Sequence, residues 1–474
     1  MPTDPRDLRT DAPLLDAWLR FCEQRPTPFT IPGHKQRQDL VGDVVAGDVP
    51  LYAGLDTMKL SAGLLDEAEG RAARLWGADV ARFSTGGATH TNQALALALG
   101  GDGGRVIVSR TLHRSMLIGL VLAGLEPVWV RPEIEPATGL PLGVPAAAVA
   151  RSLDENPGVR AVFVGDPSYV GTIGEIDELA RAAHSHGVPL IVDAAWAAHF
   201  GFHPDLPRHA LDLGADAIVI SAHKTLPAWS QGALILARTA RIDCARLDAG
   251  VEATATTSPA GAVLASIDAS RALLERDGEE LLGAALSATR AARARLAEVQ
   301  GLIVLDGPRV DPLKLTLVLP GTGADGIAVE ADLLAAGIPV EAAERDVIVA
   351  VVTLADTEAS LSVLTEAVIT AVERHRRIPR EVVPAASFRV QPVQAVPPRE
   401  AFFARHETVP ISAASGRVCG ELIAPYPPGI PVLAPGERIT AEAILALTQA
   451  REAGVRIAYA ADSSLATLRV LSTR

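Results

Sequence analysis

Lysine is scarce in this chain, although basic residues as a class are not. Lys and Arg together number 43, yet lysine occurs only at positions 35, 59, 224 and 314, and the other 39 are arginines. Arginine stays protonated in proteins, whereas lysine can lose its proton and act as a nucleophile. Lys224 lies between two strand-like apolar segments. A lysine at this place, in a chain whose basic residues are nearly all arginine, indicates a chemical role for a primary amine.

Cysteine and long apolar runs are also sparse. The three cysteines, Cys22, Cys244 and Cys419, are isolated, which is typical of reduced thiols in a cytoplasmic protein. The 11 histidines include no close pair on a convincing ligand face, so no metal site is expected. The N-terminus MPTDPRDLRTDAP lacks the apolar core of a signal peptide, and the apolar run 116–125 is too short to span a bilayer. The net charge of −13 argues against a nucleic-acid or anionic membrane surface.

From about residue 75 to 240, short apolar runs alternate with amphipathic segments of helical length. The strand-like runs are 106–109, 127–130, 161–164, 190–193, 217–221 and 233–237, and the helix-like segments include 91–99, 115–124 and 173–187. Continuous apolar strands separated by helices predict a mostly parallel sheet covered on both faces. Ligands bind beyond the carboxyl ends of such strands, so Asp193 and Ser221, which each end a strand run, are expected to face one crevice.

The rest of the 474-residue chain, which is long enough for two or three domains, follows a different pattern. A helical stretch precedes shorter strand and helix units; it lies at 262–299, the strands at 302–305, 315–319 and 347–352, and the helices at 327–336 and 357–376. The predicted domains are an N-terminal arm (1–50), a large α/β domain (51–255), a smaller α/β domain (256–377), a Pro-rich linker (378–400) and a C-terminal α+β domain (401–474).

Lys224 lies in the stretch DAIVISAHKTLPAWSQGALILA. A lysine at a strand end in a buried crevice is desolvated, which favours the neutral, nucleophilic amine. We interpret Lys224 as a Schiff-base lysine for an aldehyde cofactor. The alternative is an ordinary surface lysine.

Asp193 ends the strand part of PLIVDAAW, upstream of Lys224 by roughly one β/α unit. A carboxylate that closes a buried strand needs a charged or hydrogen-bonding partner. In pyridoxal phosphate enzymes that partner is the pyridinium nitrogen, so Asp193 and Lys224 are expected to reach one ring. The alternative is that Asp193 caps the next helix.

The Gly-rich stretch FSTGGATHTNQALALAL begins at Phe83. Its glycines, followed by Ala88, Thr89 and a helix-like run, place backbone N–H groups and a helix N-terminus where a phosphate can bind. Ser221 and His223, beside Lys224, are further donors for the same phosphate. The stretch matches neither GxGxxG nor a Walker loop, so an ordinary Gly-rich turn stays open as the alternative.

His113 lies in SRTLHRSMLIGL, at the start of a helix-like segment that follows a strand. An imidazole at that crevice is suited to stack on a flat cofactor. Capping or packing of the helix is the alternative.

In this order along the chain, the segments resemble the Orn/Lys/Arg decarboxylase family, which are fold-type I pyridoxal 5'-phosphate (PLP)-dependent decarboxylases of basic amino acids. The resemblance rests on FTIPGHKQ, GLDTMKLSAGLLDEAE, LHRSMLIGLVLAGLEPVWV, DPSYVGTIGEIDELARAAHSHGVPLIVDAAWAAHFGFHP, SAHKTLPAWSQGA and APYPPGIPVLAPGE. These segments extend over nearly the whole chain. The lysine motif combined with YPPGIP is specific, because aminotransferases normally lack the latter.

The resemblance implies a fold: α/β, with a fold-type I PLP-dependent transferase-like large domain built on a mostly parallel sheet, a smaller α/β domain and a C-terminal α+β domain. It implies that Lys224 carries PLP, that Asp193 pairs with the pyridine nitrogen and that His113 stacks on the ring. The other residues that it implies for the cofactor site are Gly87, Ala88, Thr89, Ser221, His223, Ala195 and Trp196. A cytoplasmic homodimer or larger homo-oligomer, with active sites at the subunit interface, is expected.

The implied reaction is decarboxylation of lysine, ornithine or arginine to the amine and CO2, with Lys224 or His223 returning a proton to Cα. Glu421 is a candidate for binding the distal cation of the substrate, and a structural carboxylate is its alternative. Two other functions stay open. One is a PLP-dependent aminotransferase, which releases a keto acid and no CO2, and the other is a catalytically silent regulatory paralogue.

The chain departs from the family pattern at three places. Lys59 stands where many members have a histidine, and Arg114 follows His113 where a lysine is usual. The turn 86–89 reads Gly-Gly-Ala-Thr, which has one hydroxyl fewer than the family's Asn-Gly-Ser/Thr-Thr. These differences bear on substrate identity more than on the use of the cofactor.

Overall fold

The computed structural model describes residues 5–24, 30–32, 34–35, 37–49, 54–55, 63–101, 103–426 and 429–472. The chain divides into two compact units. Unit 1 comprises Met1–Ala98 and Pro189–Gly283, and unit 2 comprises Leu99–Val188 and Ala284–Arg474. The domain bounds drawn from the sequence stay predictions.

The strands of the described residues, in chain order, are β1 (Val80–Ser84), β2 (Arg105–Ser109), β3 (Glu126–Val130), β4 (Val162–Gly165), β5 (Leu190–Asp193), β6 (Ala217–Ile220), β7 (Ala233–Ala237), β8 (Ile303–Val304), β9 (Lys314–Val318), β10 (Ala342–Ala343), β11 (Val347–Val351), β12 (His406–Pro410), β13 (Ala424–Tyr426), β14 (Arg456–Ala458) and β15 (Thr467–Leu471).

The α-helices are α1 (Pro13–Gln24), α2 (Gln38–Val41), α3 (Leu64–Leu75), α4 (Gly87–Leu99), α5 (Arg114–Ala123), α6 (Ala146–Glu155), α7 (Ile176–Ser185), α8 (Ala222–Thr225), α9 (Cys244–Thr254), α10 (Gly261–Ala297), α11 (Gly326–Ala335), α12 (Glu358–Arg374), α13 (Ala386–Arg389), α14 (Pro398–Phe403) and α15 (Ala441–Glu452). Short 3₁₀ turns lie at Pro5–Leu8, Asp43–Val45, Pro320–Thr322 and Ile411–Ala413. None of the described helices combines the length and the apolar character needed to cross a membrane.

Unit 1 contains four strands in the order β1-β7-β6-β5. Strands β5 and β6 are parallel, whereas β7 is antiparallel to both β6 and β1. Every residue of β6 and β7 is buried, which is typical of apolar strands covered on both faces. Because β1, β5 and β6 point the same way, their carboxyl ends and the start of β7 lie at one edge of this sheet.

Unit 2 contains the parallel strands β4-β2-β3 and a separate antiparallel sheet in the order β10-β11-β9-β8. Helices α11 and α12 contribute Leu333 and Val368 to a core with Leu317 from the antiparallel sheet. The last part of the chain has its own buried cluster, in which Leu447 of α15 packs near Leu468 of β15 and Ile423.

The α/β class with a mostly parallel central sheet is confirmed, but three local predictions need correction. Strand β1 was not predicted, because the sequence there was taken only as the start of the Gly-rich stretch. The strand predicted to end at Ser221 ends at Ile220, since Ser221 is the N-cap residue of α8. Helix α4 begins at Gly87 and not at Thr91, so Ala88 and Thr89 belong to its first turn.

Asp166 follows β4 as a buried carboxyl group whose Oδ1 accepts the Gly174 N–H at 2.6 Å. Burial raises the pKa of Asp166 to about 7, and this outweighs the lowering by that N–H and by Arg309. Between about pH 4 and about pH 7, the folded chain therefore holds a proton that the unfolded chain has released. The contribution of Asp166 to stability accordingly falls as pH rises through this window and is constant above it.

Relative to wild type, we expect the melting temperature of Asp166→Asn to be roughly 2 °C more favourable at about pH 8 than at about pH 5.5, because the amide accepts the same N–H without ionising. Thermal unfolding at the two pH values measures this difference. Asp306→Asn is the matched control, since the Asp306 side chain is 75% exposed. An equal shift at both pH values would contradict the argument.

Candidate active site

One edge of the unit 1 sheet collects most of the residues that the sequence singled out. Asp193 ends β5, Ser221 to Lys224 follow β6, and the Gly-rich turn 86–89 follows β1. Gln231 and Gly232 lead into β7 at the same edge. Parallel and antiparallel pairing thus bring together segments that are more than a hundred residues apart in the chain.

Lys224 lies on the short helix α8, with its backbone N–H donating to the Ser221 carbonyl at 3.1 Å. Its side chain is half-buried, and Nζ lies 3.9 Å from the centroid of the Trp196 ring. An ammonium over an aromatic face is held electrostatically, so Trp196 fixes where the amine lies. This contact places two of the predicted site residues together.

Asp193 has partners on both carboxylate oxygens. Oδ1 accepts the Ala195 N–H at 3.2 Å, and Oδ2 accepts a hydrogen bond from Nδ2 of Asn92 at 2.8 Å. Among the described residues no helix begins between Asp193 and Ala222, so the helix-capping alternative for Asp193 is wrong. The carboxylate is oriented by its neighbours at the edge of the sheet.

The Gly-rich turn is held by a buried hydrogen-bond network. The Ser84 hydroxyl accepts the Gly86 N–H at 3.0 Å and lies 2.7 Å from Nδ1 of His90, whose Nε2 lies 3.0 Å from the Val251 carbonyl. A carbonyl only accepts, so Nε2 carries the proton and the Ser84 hydroxyl donates to Nδ1. A side chain at Gly86 would bring its Cβ within 2.7 Å of the His90 Cβ, so this position needs glycine.

Gly87 has φ of +67°, and its N–H donates to the Gln231 carbonyl at 2.8 Å. This N–H is therefore engaged, which corrects the prediction that it is available to a phosphate. The N–H groups of Ala88 and Thr89 lie in the first turn of α4, where N–H groups have no intrahelical partner.

Two hydroxyl groups beside Lys224 fit a phosphate. The Ser221 Oγ and the Thr225 Oγ1 are buried, and neither has a hydrogen-bond partner within the part of the chain that the structure describes. A buried hydroxyl without a partner is costly, and a phosphate oxygen would satisfy it. The residues present at this edge therefore fit PLP: an amine, a carboxylate and donors for an anion.

His223 is tied to the start of β7. Its backbone N–H donates to the Gly232 carbonyl at 3.2 Å, and its Nδ1 lies 2.9 Å from the same oxygen. Nδ1 is therefore the protonated nitrogen, which makes Nε2 the acceptor in the neutral ring. A role of His223 as a phosphate ligand or as the proton donor stays a prediction.

Two predicted residues lie in unit 2, and one lies outside the described residues. His113 is the N-cap of α5, where Nδ1 accepts the Ser115 N–H at 3.3 Å, and its stacking on a ring stays a prediction. Glu421 is buried and accepts the N–H groups of Ala461 and Arg469 at 2.6 Å each, so it serves the structural role. Lys59 falls on residues that the structure does not describe.

The sequence reasoning missed Asn92, His90 and Thr225. Asn92 and His90 were visible as polar residues in a helix otherwise rich in alanine and leucine, which is a signal of buried polar contacts. Two of their partners, Asp193 for Asn92 and Val251 for His90, were not visible, because they lie on distant segments.

Comparison with known proteins identifies the family of the chain. The family model described as Orn/Lys/Arg decarboxylase, major domain, matches residues 12–306, and the model of the C-terminal domain of the same family matches residues 382–456. The arginine decarboxylase of Halalkalibacterium halodurans is 30% identical over 97% of this chain and 97% of its own length.

Two solved structures share the fold. The Francisella novicida lysine decarboxylase LdcF superposes with a TM-score of 0.82 and 20% identity over 97% of this chain and 81% of that chain. A structure of SPT with PLP has a TM-score of 0.55 and 18% identity over 67% of this chain and 79% of that chain. At these identities the likeness concerns the fold, whereas the family models and the closer sequence relative extend over most of the chain. The chain therefore belongs to the Orn/Lys/Arg decarboxylase family.

Proposed function

We propose that this protein is a PLP-dependent decarboxylase that converts a basic L-amino acid, with arginine the first candidate, to the corresponding amine and CO2. The observation that carries the proposal is the meeting of Lys224, Trp196, Asp193 and the Ser221 hydroxyl, which has no hydrogen-bond partner among the described residues, at one edge of unit 1. Membership in the decarboxylase family supports the reaction type. Arginine is preferred because relatives named arginine decarboxylase match 97% of this chain at 28–30% identity.

Each group at this edge has a role in holding the cofactor. Lys224 would hold the aldehyde carbon through its amine, and Asp193 would keep a proton on the pyridine nitrogen. The phosphate would be bound by the Ser221 hydroxyl and the N–H groups of Ala88 and Thr89, with Thr225 as an additional hydroxyl donor. Ala195 and Trp196 would line the ring. By resemblance to the family, His113 would stack on it.

When bound, PLP supplies an electron sink for the pair of electrons left as the bond from Cα to the carboxylate breaks. Asp193 would favour this by stabilising positive charge on the ring nitrogen at little reorganisation cost, because both of its oxygens already accept hydrogen bonds. Lys224, in its protonated form, would return a proton to Cα. His223 is the other candidate donor.

We further propose that the protein acts in the cytoplasm as a homodimer or larger homo-oligomer. This proposal follows the family. Sedimentation of the purified protein measures the assembly.

The decisive experiment is amine and CO2 release, by mass spectrometry, from purified protein supplied with PLP and separately with arginine, lysine and ornithine. We expect agmatine and CO2 from arginine. Release from lysine or ornithine instead would retain the reaction and change the substrate. A keto acid without CO2 would favour an aminotransferase, and no cofactor binding at all would favour the silent paralogue.

A further inference from the structure

Asn92 holds one oxygen of the carboxylate that is proposed to face the cofactor nitrogen. It lies on α4 with none of its surface exposed, and its Nδ2 donates to Oδ2 of Asp193 at 2.8 Å. The other oxygen of Asp193 accepts the Ala195 N–H at 3.2 Å. The carboxylate thus accepts one hydrogen bond from helix α4 and one from the turn that follows Asp193.

The chemistry of this donor suits a carboxylate that has to remain charged. An amide N–H stabilises an ionised carboxylate by hydrogen bonding, and an amide does not titrate. A carboxylic acid in its place would compete for the proton, and an apolar side chain would leave Oδ2 without that donor. Asparagine is therefore one of the few residues of this size that orients Asp193 without changing the net charge.

The position of Asn92 on α4 also connects two ends of the proposed site. Helix α4 begins at Gly87, and the N–H groups of Ala88 and Thr89 lie in its first turn, where we place the phosphate. Asn92 comes about one turn later on the same helix. Helix α4 therefore carries both the proposed phosphate donors and the amide that binds Asp193. Because they lie on one helix, the distance between them is fixed.

Resting on the proposed function, we propose that Asn92 is a positioning residue: it acts through Asp193 to orient the carboxylate that pairs with the cofactor nitrogen. Asn92 does not touch the substrate. Its loss is expected to weaken PLP binding, alter the absorption band of the bound cofactor and lower kcat, with little change in KM for the amino acid.

The test is a double-mutant cycle on the full-length protein with Asn92→Leu and Asp193→Asn. Leucine has the same branched arrangement of side-chain heavy atoms as asparagine, is bulkier, and lacks the donor. In the wild-type background we expect Asn92→Leu to weaken PLP binding and lower kcat by about 10- to 100-fold, the scale of one hydrogen bond to a charged group. In the Asp193→Asn background, the same change should cost no more than about twofold.

Two further variants separate positioning from simple structural support. Thr91→Val removes a buried hydroxyl on the same helix that donates to the Ala88 carbonyl, and it should leave the cofactor band unchanged. Asn92→Asp keeps the shape but replaces the donor with a second acceptor, so it should be worse than Asn92→Leu. If Asn92→Leu does not fold, Asn92→Ala in both backgrounds carries the same cycle, because it removes the donor without adding a charge.

Full additivity of the two changes in PLP affinity and in the absorption band would overturn the positioning role and leave the proposed function intact. Wild-type protein that binds no PLP would instead sink the proposed function, and the inference with it. Binding of PLP without amine release would reject decarboxylation but not the positioning role. The double-mutant cycle measures PLP affinity and the absorption band, and neither requires turnover.

Discussion

Lys224→Ala is expected to lower kcat/KM by about 10⁴-fold or more, the scale of removing the central covalent group of an enzyme. The amine that lies over Trp196 is the group proposed to join the cofactor aldehyde, and alanine has none. Borohydride treatment of the wild-type protein with PLP, followed by peptide mass spectrometry, should place the cofactor mass on the peptide that contains Lys224. The variant should show no such peptide.

Lys224→Arg is the matched control for charge. Arginine keeps a cation suited to the face of Trp196, but it stays protonated and cannot attack an aldehyde. We expect it to be as inactive as the alanine variant, which would separate the nucleophile from the electrostatic contact. Activity above about a tenth of wild type, or cofactor mass on Lys35, Lys59 or Lys314, would show that the amine has been assigned to the wrong residue.

Asp193→Asn is the second large effect. The amide keeps the shape of the side chain but loses the charge that is proposed to hold a proton on the cofactor nitrogen. Removal of one preorganised electrostatic group from a reacting centre costs about 10²- to 10³-fold in kcat. We expect that loss together with a shifted absorption band of bound PLP, measured by steady-state release of amine and by absorbance.

The control for this substitution is another buried aspartate in the same unit. Asp216 is 3% exposed, precedes β6 at the edge opposite to Lys224, and accepts the Leu190 N–H at 2.8 Å. Asp216→Asn should lower stability, because it weakens the ion pair between the buried Asp216 and the exposed Arg241, yet leave kcat of the folded protein within about twofold. A normal kcat for Asp193→Asn would remove the carboxylate from the proposed chemistry.

Most strands and helices near the site could be predicted, because burial follows a local pattern. The runs that became β5, β6 and β7 are apolar and short, and they were assigned with errors of one residue or none. The Gly-rich turn was harder. The phosphate-binding interpretation did not foresee that the N–H of Gly87 donates to the Gln231 carbonyl, because Gln231 is far from Gly87 in the sequence.

The sequence by itself determined the chemical inventory: one lysine after a buried strand, one aspartate ending another, a Gly-rich turn before a helix, and the family to which the chain belongs. These follow from residue type and local periodicity, which act over a few residues. Tertiary structure alone decided the partners: Trp196 beneath Lys224, Asn92 on Asp193, and Val251 on His90. Such contacts join residues 28, 101 and 161 positions apart. They depend on strand order, on the reversed direction of β7 and on the packing of helices against the sheet, which no local pattern specifies.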